Sequence, residues 1–180
     1  MSTTEVLSRG EKQTSISEAF VQELEQEART TRRVLERVPD EHLGWKPHAK
    51  SWSLGQLALH IATVPGGVAS FATAPSAEAP TFVQAAATRA AELLPALDQS
   101  IAQARDALRG FDDAAMRATF RITAGDRELM ALPRAAFLRA IMLNHWYHHR
   151  GQLSVYLRQL GVPVPSIYGP SADENPFAAS

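Results

Sequence analysis

Apolar side chains recur at three- and four-residue steps in four stretches of this chain, a period that belongs to helices with one buried face. The first stretch runs from Ser17 to Val38, where Phe20, Val21, Leu24, Ala28, Val34, Leu35 and Val38 sit among Glu, Gln and Arg. Ser15 or Ser17 can cap it, Glu18 falls in its first turn, and Pro39-Asp40 ends it. A connection from Glu41 to Ser51 leads to Ser53, a good cap for a second helix. Leu54, Leu57, Ala58 and Ile61 form that helix's buried stripe, and His60 borders it one step around from Leu57. Pro65-Gly66-Gly67 is expected to kink or interrupt the helix, because proline lacks a backbone N–H and its ring clashes with the preceding turn. A loop rich in Ala, Pro and Ser then reaches Pro80.

The third stretch, Phe82 to Leu108, carries Val83, Leu93, Leu94, Leu97 and Ile101 among many alanines, and Gly110 stops it. Between Ala118 and Ala131 the period changes. Thr119 to Thr123, then Ala124-Gly125-Asp126-Arg127, then Glu128-Leu129-Met130 read as a short hairpin or an irregular extended pair. Pro133 suits the first turn of the last helix, which continues through Phe137, Leu138, Ile141, Met142, His145, His149, Leu153 and Leu157 to Gly161. Residues 1–14 are expected to be a flexible N-terminus, 15–162 one helical domain, and 163–180, with prolines at 163, 165, 170 and 176, an extended tail. The expected fold class is all-α, an antiparallel four-helix bundle with a short irregular or hairpin segment before the last helix.

The run Asn144-His145-Trp146-Tyr147-His148-His149-Arg150-Gly151-Gln152-Leu153 places two imidazoles four residues apart. A helix turns through about 400° in four residues, so His145 and His149 project from one face toward a single ion. His60 is the best candidate for a third ligand, because it also sits within a helical hydrophobic pattern. Three neutral imidazoles from facing helices would make a site with an open position. The alternative for His60 is a hydrogen-bonded core or surface residue, and for His145 and His149 a satisfied polar network. A buried pair at this spacing is the less ordinary arrangement, since each ring carries a donor and an acceptor that need partners.

His148 is turned to the edge of the pair's face and is expected beside the site or in its pocket rather than as a fourth ligand. His42 and His48 fall in the Trp45-Lys46-Pro47 connection and are expected to be solvated. Asn144, Arg150 and Gln152 could serve as pocket groups or as helix-surface and interhelical hydrogen-bonding residues. Trp52 and Tyr156 are expected in the core or the pocket wall. Gly151, within a helix, suggests close packing against another backbone.

Composition narrows the chemistry. Eighteen basic and nineteen acidic residues leave a net charge of −1, without the basic excess of an electrostatic nucleic-acid binder. The 180 residues include no cysteine, which excludes disulfides, a thiolate-held zinc and an internal thiol nucleophile. Trp146 stands where a zincin needs its glutamate, and Leu57, Met142 and Trp146 stand where a ferritin-like di-iron site needs glutamates. The zinc deaminase pattern needs cysteines, and neither a phosphate-cradling glycine loop nor a Gly-x-Ser-x-Gly elbow is present. No segment reads as a signal peptide or a membrane span, so a soluble cytoplasmic protein is expected.

Three segments together carry a family likeness: Trp52-Ser53-Leu54-Gly55-Gln56-Leu57-Ala58-Leu59-His60-Ile61-Ala62, the run from Asn144 to Leu153, and the tail from Gly161 to Glu174. In these the chain resembles the DinB-like superfamily, over most of its length. The resemblance implies a four-helix bundle of down-up-up-down connectivity, often a homodimer. It also implies a divalent ion, usually nickel or zinc, on three histidines, which by position are His60, His145 and His149. Relatives include transferases that use bacillithiol or mycothiol, and maleylpyruvate isomerases that use a low-molecular-weight thiol. The implied function is a metal-dependent enzyme acting on a small molecule, such as a transferase activating an external low-molecular-weight thiol. A metal-dependent hydrolase, or a non-catalytic metal-binding or stress-response protein, is the alternative. The family name reflects induction by DNA damage and does not imply DNA binding; neither nucleic acid nor membrane is expected as a partner.

Overall fold

The computed structural model describes residues 14–81 and 83–178, so most of the expected flexible N-terminus, the expected start of the third helix at Phe82, and the last two tail residues lie outside it. The chain is mostly helical, with one small sheet. Helix α1 (Ile16–Leu35) is capped by Ser15, whose Oγ accepts the Glu18 N–H at 3.1 Å. A single 3-10 turn (Asp40–His42) begins the connection to α2 (Leu54–Phe71). Ser53 and Gln56 close a capping box at the start of α2, each side chain accepting the other's backbone N–H.

Contrary to the expected interruption, α2 continues through Pro65 to Phe71. Proline leaves the Ile61 carbonyl without its intrahelical donor. The buried indole of Trp146 supplies one instead, its Nε1–H donating to Ile61 O at 2.8 Å. The next residue, Gly66, donates its N–H to Ser100 Oγ at 2.8 Å. A Cβ on Gly66 would lie 2.8 Å from the Ser100 carbonyl oxygen and 2.9 Å from its Cα, so the absent side chain is what lets α2 and its neighbour approach. Helix α2 therefore passes its breaker because the surrounding helices take over the groups that proline disturbs.

That neighbour, α3 (Leu93–Arg109), begins later than the periodicity suggests. Residues 83–89 instead cross the start of α2, where Gln56 and Gln84 each donate a side-chain N–H to the other's carbonyl and Ala87 N–H donates to Gly55 O. A 3-10 turn (Ala90–Glu92) leads into α3, and Pro95 falls in its first turn, where a missing N–H costs no helical bond. Asp112 then caps a short helix, α4 (Asp113–Arg117), that the sequence pattern did not reveal.

The expected hairpin forms as β2 (Thr119–Ala124) and β3 (Arg127–Pro133), antiparallel, with a bulge between Ile122 and Thr123. An additional strand, β1 (Ser76–Glu78), pairs in parallel with β2 and completes a three-stranded sheet in the order β1-β2-β3, which corrects the all-α expectation. Phe120 anchors this sheet to the helices, its ring 4.7 Å from Phe137 and 5.7 Å from Phe71.

The last helical rod is α5 (Arg134–Phe137), a π-helical stretch (Leu138–Asn144) and α6 (His145–Gln159), without a break. The wider π turns rotate α6 relative to an unbroken α-helical count. Met142, Leu143, Trp146, Leu153 and Leu157 are consequently the buried apolar residues of the rod's second half, while His145 and His149 lie at the border of the core. Among the described residues, no helix is long and apolar enough to cross a membrane.

Two buried guanidinium groups tie the bundle together. Arg150, 1% exposed, donates to Glu27 Oε2 at 2.6 Å, to Thr31 Oγ1 at 3.0 Å and to the Tyr168 hydroxyl. Arg134 donates to the carbonyls of Ala72, Ala74 and Ala115, joining the end of α2 to α4 and to the start of the last rod. Residues 163–178 hold no regular element but fold back on the bundle. Glu174 pairs with Arg33 and accepts the Ser166 N–H, and Asp173 pairs with Arg158 and accepts the Val164 N–H.

Two glycines should respond with opposite sign to the same substitution. Gly66→Ala drives a methyl into Ser100 and should cost about 1–3 kcal/mol. Gly151 is exposed, and an added Cβ there meets nothing within 4 Å, which corrects the expectation of a close backbone approach. Gly151→Ala should stabilise by up to about 1 kcal/mol through helix propensity. Urea denaturation midpoints of the two variants check both; a shift of the same sign in both would contradict the packing at one of the two sites.

Candidate metal centre

His60 comes from the middle of α2 and His145 and His149 from the first turns of α6, and the fold brings all three together. His60 Nε2 lies 3.0 Å from His145 Nε2, and one donor nitrogen from each ring falls within 4.8 Å of the others. Two nitrogens bound to one ion at about 2.0–2.1 Å lie about 2.9–3.4 Å apart, depending on the coordination angle, so the His60–His145 spacing already suits a shared ion. No carboxylate belongs to this group among the described residues.

Gln152, one turn beyond His149, holds that ring by a 2.7 Å contact between its Oε1 and His149 Nδ1. With Nδ1–H as donor, the Nε2 lone pair is left to face the other two rings. Trp52 forms a wall, its indole stacked on His149 at 5.4 Å between centroids and 20° between planes, and edge-on to His60 at 4.8 Å. Tyr156 supports that wall from behind. Its hydroxyl donates to the Trp52 carbonyl at 3.4 Å, and its ring meets Trp45 edge-on at 5.4 Å.

Of the other expected neighbours, His148 is exposed, with its ring 5.1 Å from that of His149, and Asn144 is exposed at the end of the π stretch. His42 is half-buried, while His48 is exposed and accepts the Lys50 N–H. Arg150, weighed as a pocket or surface group, points the opposite way into the Glu27 pair. Pattern reading passed over Glu27, although Leu24, Glu27, Thr31 and Val34 follow at helical steps and are all buried. Gln84 was also missed, since nothing local marks a polar loop residue that will cross another helix's start.

All three rings are held toward the neutral, lone-pair form. Burial lowers the His60 pKa from 6.5 to about 4, helped by the neighbouring His149 and His145 and partly opposed by Gln84. Burial also lowers His145, with His148 adding to it, and lowers His149 against the opposing hydrogen bond of Gln152. Neutral imidazoles in a ring with no competing carboxylate fit a divalent ion of borderline softness.

The DinB family model matches residues 2–176. The chain belongs to the DinB family. The uncharacterized protein YrdA of Bacillus subtilis (strain 168) is similar to this DinB chain at 28% identity over 156 residues, 86% of this chain and 89% of YrdA. A DinB-like protein from Bacillus cereus ATCC 10987 matches in structure with a TM-score of 0.65 at 27% identity, over 86% of this chain and 99% of that one. YfiT from Bacillus subtilis, described as a probable metal-dependent hydrolase with an unusual four-helix bundle topology, matches with a TM-score of 0.60 at 15% identity, over 89% and 94% of the two chains. At that identity the likeness to YfiT is one of fold.

The lowered pKa values set a pH window. A histidine whose folded pKa lies below its unfolded value binds fewer protons when folded, so its contribution is complete above about 6.5 and is lost as pH falls toward about 4. Metal-free protein should therefore lose stability between about pH 6.5 and 4.5, and His60→Gln should flatten that slope. An NMR titration of the His60 ring should give a midpoint near 4; a midpoint near 6.5 would show an unburied ring.

Proposed function

We propose that this DinB-family protein is a metal-dependent enzyme with His60, His145 and His149 as the ligands of one divalent ion and an open position for a small nucleophile. The observation that carries the reading is the convergence of three proton-poor imidazole donors from two helices, with no carboxylate in the group. Zinc or nickel bound there would act as a Lewis acid that lowers the pKa of a coordinated thiol or water. The chain has no cysteine, so a thiol nucleophile has to come from solution, and a transferase using a low-molecular-weight thiol is the form of the reaction we favour. Water as the nucleophile is the second reading, favoured by the fold shared with YfiT, described as a probable metal-dependent hydrolase. The same proposal includes the family's down-up-up-down connectivity and a homodimer.

The protein's own residues have definable parts in this. Gln152 holds the His149 ring, Trp52 walls the site and limits water on one side, and Tyr156 and Trp45 fix Trp52 in place. His148 is exposed beside the group, its ring 5.1 Å from that of His149.

Elemental analysis of untagged protein should find about one nickel or zinc per chain. His60→Ala, His145→Ala and His149→Ala should each lose that ion while keeping their helical circular dichroism, whereas His148→Ala should keep it. Full metal content in any of the first three would remove that residue from the ligand set. Turnover of an electrophilic substrate only when a low-molecular-weight thiol is added would select transferase over hydrolase, and thiol-independent hydrolysis would reverse the order.

A further inference from the structure

Two contacts between α2 and the last rod sit side by side. His60 Nε2 meets His145 Nε2 at 3.0 Å, and one residue further along each helix Ile61 O accepts the Trp146 Nε1–H at 2.8 Å. The partners of the second contact follow those of the first by one residue on each helix, so the two contacts lie within one turn of each other. Ile61 and Trp146 are fully buried, whereas the histidines are only half-buried at the edge of the core. The acceptor is free for an outside donor because residue 65, four places on, is a proline inside the helix.

We infer that Trp146 is a positioning residue for the metal centre, and that Pro65 creates the carbonyl acceptor it uses, so that one buried hydrogen bond sets the sliding and rotation of His145 against His60. A hydrophobic contact alone would tolerate slippage of one helix along the other, because apolar packing has no directional preference. An indole N–H aimed at a single carbonyl does not, since the bond weakens steeply away from its preferred distance and angle. The Trp146 ring further fixes the rotation of α6, since its neighbours on either side, His145 and Tyr147, are then directed to opposite flanks of the rod. Tyr147 donates its hydroxyl to Glu23 on α1, and His145 meets His60 on α2.

The inference rests on the metal-binding reading for its functional meaning, and the test separates the two. Trp146→Phe keeps an aromatic ring and removes the donor. Trp146→Phe with Pro65→Ala then returns an intrahelical donor to Ile61 without restoring the bridge between helices. Full-length untagged protein, stripped of metal, is titrated with zinc or nickel alone, and its denaturation midpoint is measured in parallel. Trp146→Phe should lower both the midpoint and the affinity, the latter by about 10- to 100-fold, the range for residues that orient metal ligands. The double variant should recover stability while its affinity stays low. Recovery of affinity in step with stability, or wild-type affinity in Trp146→Phe, would overturn the inference.

Nuclear Overhauser contacts between the His60 and His145 rings in metal-free protein give a readout that needs no ion. They should be present in wild type and weakened in both variants; unchanged contacts would also overturn the inference. If wild type takes up no ion yet shows these contacts and Trp146→Phe loses them, the metal reading fails and the positioning role stands. Should Trp146→Phe not fold, β-(3-benzothienyl)alanine at position 146 replaces the indole N–H by sulfur at nearly constant volume, and the same outcomes decide.

Discussion

Helix α2 depends on a hydrogen-bonding deficit. Pro65 cannot donate to the Ile61 carbonyl, and an unpaired buried carbonyl costs about 1–3 kcal/mol. The deficit is met from another helix by Trp146, which turns a local weakness into a fixed point between the two elements that carry the three histidines. Gly66 adds a second fixed point beside it, where the missing side chain lets Ser100 of α3 reach the α2 backbone. The centre of α2 is thus held from two sides between Ile61 and Gly66.

The last rod is fixed by polar contacts facing several directions. Trp146 binds it to α2, and Arg150 binds it to Glu27 and Thr31 of α1 through a pair almost closed to solvent. Buried ion pairs add little net stability against well-packed apolar groups, but a single arrangement satisfies them, and breaking one partner away is expensive. Tyr168 from the returning C-terminal segment joins the same pair, so this otherwise irregular segment is part of what holds α1 and α6 at their angle. Arg134 does the equivalent work at the other end of the rod with carbonyl acceptors alone, gathering the ends of α2 and α4.

With this scaffold, the three imidazoles stand at the core's margin, half-buried, and burial disfavours their protonated form. A deeper position would need every ring nitrogen satisfied within the protein, and a more exposed one would leave the rings free to rotate and to protonate. The π-helical turns before His145 contribute here, because they set Trp146 into the core and its histidine neighbours at the edge. The three-histidine group is compatible with holding a metal ion, and membership of the DinB family does not by itself name a reaction.

Much of this was legible in the residues themselves. Hydrophobic period located the four long helices, Ser15 or Ser17 and Ser53 marked two starts, and the change of period at Thr119 marked the hairpin. The four-residue spacing of His145 and His149 placed them on one face, and the helical setting of His60 made it the third candidate. Local pattern could not show that α2 survives Pro65, that residues 76–78 add a strand, or that 83–89 cross α2 before the third helix begins. Nor could it choose between surface and core for Arg150, or see that Gly151 faces open solvent. Periodicity and capping are set by neighbours within a turn or two, so the sequence determined the elements and the face that carries the histidine pair. The donor that rescues Ile61 and the ring that meets His60 both lie 85 residues away, and only packing the helices could decide those partners, because a buried polar group accepts whichever one the fold delivers.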